Sequence, residues 1–430
     1  MKSKTIWTAR GAMGIAALAL FTAPAAAGYD VNSRIDALEN ELRALKAQVE
    51  TRDAKLAELE ASTADLQNLP VFDSKKLQIS SRDGDWSIRF GGRAHIDATV
   101  VDDDVTQIGN GAEIRRLWWD ISGKVAGAWK YKFQAGFEND QVRIKDAYIA
   151  TDLGPLGLTI GNHKEAYSLE ELTGSNYITF VERGLPNVFA PGRNIGVSAN
   201  TGGANWGVTA GFFTDGINNG GINNQTTDWA VTGRTHFAPI AEADRALHLG
   251  VAASYRGVEN DTAQFNLRPE FNDGRGIINT GVVNNVEKIV QVGPEVAAVF
   301  GPFSVQGEYH WATLERGQGV ADADLDGGYA FASWFVTGES RAYDAAKGTF
   351  GRVKAHDAIE LAVRYSMVDL TEAAAVATNG EETNITAGVN YYFNPNVRVM
   401  LNYINADIDR TAGGVDEDIQ AVVSRLQIDF

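Results

Sequence analysis

From Asp85 to the last residue, apolar and polar positions alternate with a period of two, the repeat of a strand with one apolar and one polar face. Trp86, Ile88, Phe90, Ala94 and Ile96 alternate with Arg89, Arg93, His95 and Asp97, and Trp129, Tyr131, Phe133 and Phe137 with Lys130, Lys132, Gln134 and Glu138. The ending VVSRLQIDF follows the same rule, with Val422, Leu426, Ile428 and Phe430 opposite Arg425, Gln427 and Asp429. This alternation predicts about sixteen strands, near 86–101, 113–125, 129–138, 142–151, 156–161, 193–201, 204–213, 227–237, 245–256, 287–300, 302–313, 328–337, 355–368, 382–393, 397–408 and 419–430.

Residues 35–66 keep a different rhythm. Ile35, Leu42, Val49, Leu56 and Thr63 share one heptad position, and Leu38, Leu45, Arg52, Leu59 and Leu66 the other, so a short α-helical coiled coil is expected, ending near Pro70. Before it, Lys2, Lys4 and Arg10, the apolar run GAMGIAALALF and Ala25-Ala26-Ala27 have the layout of a secretory signal peptide over 1–27. The expected organisation is therefore signal peptide 1–27, coiled-coil segment 28–70 and strand domain 71–430.

The connections sharpen the fold. Turns after even-numbered strands are mostly tight, as in LGPLG (153–157), TGGA (201–204), FGPF (300–303) and FNPN (393–396). Several connections after odd-numbered strands are long, at 162–192, 257–286 and 314–327. An even strand count, this asymmetry and a polar second face predict an all-β, transmembrane antiparallel barrel of about 16 strands, with both chain ends and the coiled coil on the periplasmic side. A closed barrel also explains why the chain ends on a strand: the last strand pairs with the first. Two connections depart from the rule, 139–141 being short and 338–354 long.

The stretches IRRLWWDISGKVAGAWKYKFQAGFEND (114–140), TIGNHKEAYSLEELTGSNYITFVERGL (159–185), GYAFASWFVTGESRAYDAAKGTFGRVK (328–354) and GVNYYFNPNVRVMLNYINADID (388–409) resemble the phosphate-selective porin O and P family. The resemblance runs from about residue 86 to the end. It implies an outer-membrane porin of a Gram-negative bacterium, a homotrimer of sixteen-stranded barrels whose third extracellular loop folds into the lumen and whose basic side chains bind small anions, phosphate best known among them. The family's arginine pair on the second strand matches Arg115 and Arg116, and its loop arginine matches Arg183. LEELTGSN departs from the family's lysine and serine pattern, with Glu171, Gly174 and Asn176 and only Thr173 and Ser175 kept. The resemblance thus implies a constriction poorer in positive charge, and weaker phosphate selectivity.

Strand parity supplies its own set of lumen residues: Arg89, Arg93, Arg116, Lys130, Lys132, Arg234, Arg256, Arg364, Arg398 and Arg425, against Asp97, Asp120, Glu138, Glu308, Glu360 and Asp429. Arginine suits anion passage because its planar guanidinium forks onto oxyanions and stays charged. The competing reading is that these cations pair with inward carboxylates and brace the wall. Arg115 falls on the outward parity and belongs at a rim unless a bulge turns it. The basic bias is set inside a chain of formal charge −17, a balance that argues against nucleic acid as a partner.

Other chemistry is thin. DADLDGG (322–328) begins like a calcium loop, but Ser333 stands where the closing glutamate belongs, so no metal is expected. Asp102-Asp103-Asp104 and Asp416-Glu417-Asp418 read as hydrated loop charge able to meet lipopolysaccharide through divalent ions. His95 and His310 face the expected lumen, yet there is no G-x-S-x-G, H-E-x-x-H or Walker loop, and no cysteine, so neither an enzyme nor a cofactor is indicated. A barrel tethered to the cell wall through the coiled coil, and a general or cation-preferring porin, are the alternatives to an anion pore. The terminal Phe430 is the expected signal for the barrel assembly machinery.

Overall fold

The computed structural model of the chain describes residues 31–138, 141–217, 227–272, 276–373, 376–411 and 413–430. The signal-peptide expectation lies outside them. Two compact units are present, one through Asn68 and one from Leu69 to Phe430.

Among the described residues the first unit contains one helix, Val31–Asn68, whose heptad side chains from Ile35 to Leu59 are bare: Leu38, Leu45 and Leu59 are each about three-fifths exposed. The periodicity therefore yields the helix. Its association into a coiled coil is not shown by one chain.

The second unit is a closed antiparallel barrel of sixteen strands. In chain order these are β1 Ser87–Asp103, β2 Gly111–Val125, β3 Trp129–Gly136, β4 Arg143–Leu153, β5 Leu156–Lys164, β6 Arg193–Gly202, β7 Trp206–Phe213 and β8 Thr227–Ala241. The other half comprises β9 Arg245–Val258, β10 Val286–Phe300, β11 Phe303–Arg316, β12 Ala323–Phe335, β13 Ala358–Asp369, β14 Gly380–Asn394, β15 Val397–Arg410 and β16 Glu417–Asp429. Each strand pairs with its sequence neighbours, and β16 closes on β1 in the register Arg425↔Asp97 and Asp429↔Arg93. A short hairpin, Val71–Asp73 with Gln78–Ser80, extends the sheet at the start of β1.

The barrel is inverted relative to a soluble protein. Leu401, Tyr403, Leu426 and Ile428 are exposed outward, whereas Arg398, Asn402, Arg425 and Gln427 are buried inside. Such a band is stable only in hydrocarbon, where closure also leaves no strand edge unpaired. Tight turns carry left-handed glycines, Gly154 (φ 64°) and Gly301 (φ 56°), where a side chain would strain the backbone.

Two expectations are corrected here. β12 starts at Ala323, earlier than expected, because Asp324 and Asp326 continue the strand and accept hydrogen bonds from Thr313 (2.7 Å) and Tyr309 (2.9 Å). Glu417 is not hydrated loop charge: it is buried, ion-paired with Arg410, and accepts the backbone N–H of Thr106 (2.9 Å).

Phe430 completes the closure. Its N–H donates to Gly92 O (3.1 Å), its own carbonyl accepts from Gly92 N–H (3.2 Å), and its ring lies on the outward parity. Removing Phe430 is expected to lower the amount of barrel assembled in the membrane while leaving export intact. Normal yield with normal heat-modifiable migration of the truncated chain would contradict that role.

Candidate functional site

Among the described residues, three connections fold into the barrel and narrow its lumen. Loop 3, residues 165–192 between β5 and β6, crosses the lumen and is fixed to strands far apart in sequence. Arg256 pairs with Glu165 (2.9 Å), and Asn390 donates to Thr179 O (2.8 Å). Asn402 accepts Val181 N–H (2.8 Å), and Gln291 donates to Phe189 O (2.7 Å). The short helix Leu169–Leu172 begins on the Glu308 carboxylate, which accepts the N–H groups of Leu169 (2.9 Å) and Glu170 (2.7 Å), while His310 meets Tyr167 (3.1 Å). A carboxylate at the free N–H groups of a helical turn satisfies donors that the turn itself leaves unpaired.

Loop 5, residues 259–285 between β9 and β10, packs Phe265, Phe271 and Ile278 into an apolar cluster with Met400, Ile404 and Ile408 of β15 and Ile419 of β16. The third insertion comes from the opposite end, where the β12–β13 connection, residues 336–357, forms a strap. Its Ala345 carbonyl meets His236 (3.0 Å), its Gly348 carbonyl accepts from Arg234 (2.7 Å), and Tyr343 meets His248 (2.6 Å). Arg341 lies over the Phe350 ring (3.6 Å), and Phe350 N–H reaches Thr173 of loop 3 (3.3 Å).

Beside them lies a cavity of about 1700 Å³, lined mainly by the inner wall of β1–β6. Among the described residues, fifteen lysines and arginines line it against eight aspartates and glutamates, so this wall is basic although the chain is acidic. Arg89, Arg93, Arg116, Lys130, Lys132 and Arg183 all stand on it, as do Glu171 and Ser175.

Most of these cations are braced. Lys130 pairs with Asp152 (2.8 Å) and Lys132 with Asp146 (2.6 Å), while Arg93 donates to Ser175 Oγ (2.8 Å) and lies 4.6 Å over the Trp118 ring. Arg183 caps the short helix of loop 3, donating to the carbonyls of Glu170 (2.9 Å), Glu171 (3.2 Å) and Thr173 (3.1 Å), and pairs with the Glu171 carboxylate (3.2 Å). Glu171 also pairs with Lys164 (2.9 Å). Burial opposes its ionisation, but the charges of Arg183 and Lys164 outweigh burial and hold its carboxyl at about 2. Because that is below the ordinary 4.5, the stability it lends to loop 3 is full above pH 4.5 and is lost as pH falls toward 2.

Three expected residues stand elsewhere. Arg364 is buried beside Glu170 (3.5 Å) and Glu270 (2.5 Å), under loops 3 and 5. Arg398 faces a small secondary cavity and donates to Gln427 (2.9 Å). Thr173 is buried against the strap.

Arg115, read on the outward parity, points inward. The ladder of β1 and β2 slips by one residue between His95↔Arg116 and Ile96↔Ile114, leaving Arg115 as the extra residue of a bulge. At a bulge the alternation breaks, so two consecutive side chains can face one way. Both arginines grip Glu182 of loop 3, which strand parity could not reveal because Glu182 lies on no strand.

The family model for phosphate-selective porin O and P matches residues 88–430. Porin O of Pseudomonas aeruginosa is 26% identical over 418 residues, covering 86% of this chain and 94% of that protein. Among solved structures, the outer-membrane channel DcaP of Acinetobacter baumannii superposes with a TM-score of 0.54 at 11% identity, covering 82% of this chain and 99% of that one. The anion-selective porin from Comamonas acidovorans does so with a TM-score of 0.52 at 14% identity, covering 80% and 100%. These two likenesses concern the fold.

Proposed function

The chain belongs to the phosphate-selective porin O and P family and is an outer-membrane channel, and from that premise we propose that it carries small anions with a modest preference. The observation that supports this reading is the excess of cations among the described residues that line the cavity. A wall of fixed positive charge concentrates anions and repels cations from a narrow aqueous path. Inorganic phosphate passes, but without the grip of a dedicated phosphate channel, since Glu171 neutralises part of the charge that Lys164 and Arg183 bring to loop 3. Stepwise conductance of the purified protein in a planar bilayer, with weak block of the chloride current by phosphate, is the expected result. An absence of conductance would favour a structural tether, and strong phosphate block would overturn the modest preference.

The working unit in this proposal is a homotrimer, with the helices of 31–68 associating in the periplasm through their exposed heptad side chains. The barrel walls carry most of the contact between subunits. Deleting residues 29–70 is therefore expected to leave a trimer on gel filtration and chemical cross-linking. A monomer would place the strength in the helices instead. Lipopolysaccharide at the rim and the assembly machinery at Phe430 are the further partners of this reading.

A further inference from the structure

We infer that Arg115, Arg116 and Arg425 form an oxyanion site that the chain fills with its own Glu182 carboxylate, so that an external carboxylate or phosphate binds there only once that side chain is displaced or removed. The proposal rests on the anion-pore reading for its physiological sense, though not for its test.

The geometry is that of a bound ligand. Arg115 donates from Nε to Glu182 Oε1 (2.9 Å) and from Nη2 to Oε2 (3.0 Å). Arg116 donates from Nη1 to Oε1 (3.2 Å) and from Nη2 to Oε2 (3.0 Å). Arg425 adds a contact from Nη2 to Oε1 (2.8 Å). One carboxylate thus receives five charge-assisted hydrogen bonds, two of the guanidinium groups forking onto it as they would onto a free oxyanion.

Three features argue that this is a site and not merely a wall brace. First, the donors are preset by elements other than loop 3. The β2 bulge turns Arg115 inward beside Arg116, and Arg425 is held by Asp97 of β1, whose carboxylate accepts from Nε and Nη2 at 2.7 and 2.6 Å. Second, Glu182 is the one carboxylate on which all three guanidinium groups converge, whereas Asp97 is ion-paired with Arg425 alone and Glu113 beside it accepts from Asn272, so removing Glu182 takes away their shared partner. Third, the site opens on the cavity, since Arg115, Arg116 and Glu182 all line it while Arg425 is buried behind them. A solute can arrive from the open side, and the displaced Glu182 side chain has water to enter. Burial disfavours the ionised Glu182, but the charges of Arg115, Arg116 and Arg425 outweigh burial and keep it well below the usual carboxylate range.

Loop 3 therefore carries a tethered anion. Tethering gives Glu182 a high effective concentration at the arginines, so free anions passing through the wild-type pore compete poorly for this position. The arginine pair that the resemblance offers to solutes is spent on the loop. Its retention keeps the loop seated, and its release would convert a passage lined with braced cations into one with a binding step.

The test uses the full chain with Glu182→Ala, in planar bilayers at fixed potassium chloride, titrated with sodium formate and separately with inorganic phosphate. The wild-type current should respond weakly to both. The variant should show saturable block, with a half-blocking concentration at least about tenfold lower than wild type, since the vacated donors regain a charge-assisted partner. Adding Arg425→Met to the variant should weaken that block. Equal sensitivity of wild type and variant, or a folded, conducting variant indifferent to both anions, would overturn the proposal. Should Glu182→Ala fail to fold, Glu182→Gln is refolded in detergent with and without formate. Higher yield with formate supports the site, and equal yields overturn it. Wild-type ion preference is read separately, so a cation-preferring wild-type pore would refute the proposed function while leaving the formate result to stand on its own.

Discussion

Cutting the β12–β13 strap down to a short turn, by removing residues 340–353, should raise single-channel conductance several-fold. The strap is the long exception among the connections at its end of the barrel, and its contacts show what it does with the extra length. It reaches His236, Arg234 and His248 on the inner wall of β8 and β9, and it touches loop 3 where Phe350 N–H meets Thr173. Strap and loop together fill the lumen beside β8 and β9, and both also border the basic cavity, the strap through Lys347 and Arg352. Without the strap that side is open to water, because Arg234, His236 and His248 are polar and would hydrate once uncovered. The wall should survive, since strand-to-strand hydrogen bonds and the outward apolar face hold a barrel together. Arg341 and Phe350 lose each other's contact, but both leave with the segment. Unchanged conductance in a folded variant would mean that the strap does not limit the passage.

The second large effect concerns Glu171. Replacing it with glutamine keeps the shape of the side chain but leaves Lys164 and Arg183 without the carboxylate that sits 2.9 and 3.2 Å from them. Unit charges about 4 Å apart interact by about 4 kcal/mol at an effective dielectric of about 20, so one carboxylate cancels much of the field of its two neighbours. Salt and water in the passage reduce what a moving ion feels to on the order of 1 kcal/mol, or about fivefold in the anion-to-cation permeability ratio. Glu171→Lys should move the ratio further in the same direction and strengthen block by phosphate. Its low pKa has a further consequence: Glu171 stays charged from neutral pH down to pH 4, so acidification over that range should not mimic the glutamine variant. Unchanged reversal potentials in both variants would show that this part of loop 3 lies off the ion path.

The barrel was legible because a strand's period is two and the chain keeps to it for most of its length. Leu426, Ile428 and Phe430 opposite Arg425, Gln427 and Asp429 already state which side meets lipid. The contents of the lumen were less legible, for a physical reason. Parity says which face a residue occupies, not whether another segment covers that face. Arg364 has the right parity and is nevertheless sealed under loops 3 and 5. A signal for such cover existed in β15 and β16, where Met400, Ile404, Ile408, Ile419 and Val423 put apolar side chains on the inward parity. Strands apolar on both faces have something apolar on both sides, and here it is loop 5. The bulge at Arg115 was invisible because a one-residue slip leaves no mark in composition, only in the register.

Seven lumen cations from strand parity, Arg116, Lys130, Lys132, Arg234, Arg256, Arg364 and Arg425, pair with carboxylates, and such bracing does not by itself oppose the proposed anion passage. A braced cation keeps its charge and position, and an ion pair in contact with water still leaves a net field where cations outnumber acids. The central claim is that this surplus along β1–β6, and not the acidic charge of the whole chain, sets what the channel prefers. The zero-current potential of the wild-type protein in a planar bilayer under a potassium chloride gradient tests it most directly. With the dilute side as reference, an anion-preferring pore makes the concentrated side positive at zero current, and that sign is the result expected here. A concentrated side that is clearly negative would show a pore that prefers cations and would contradict the account.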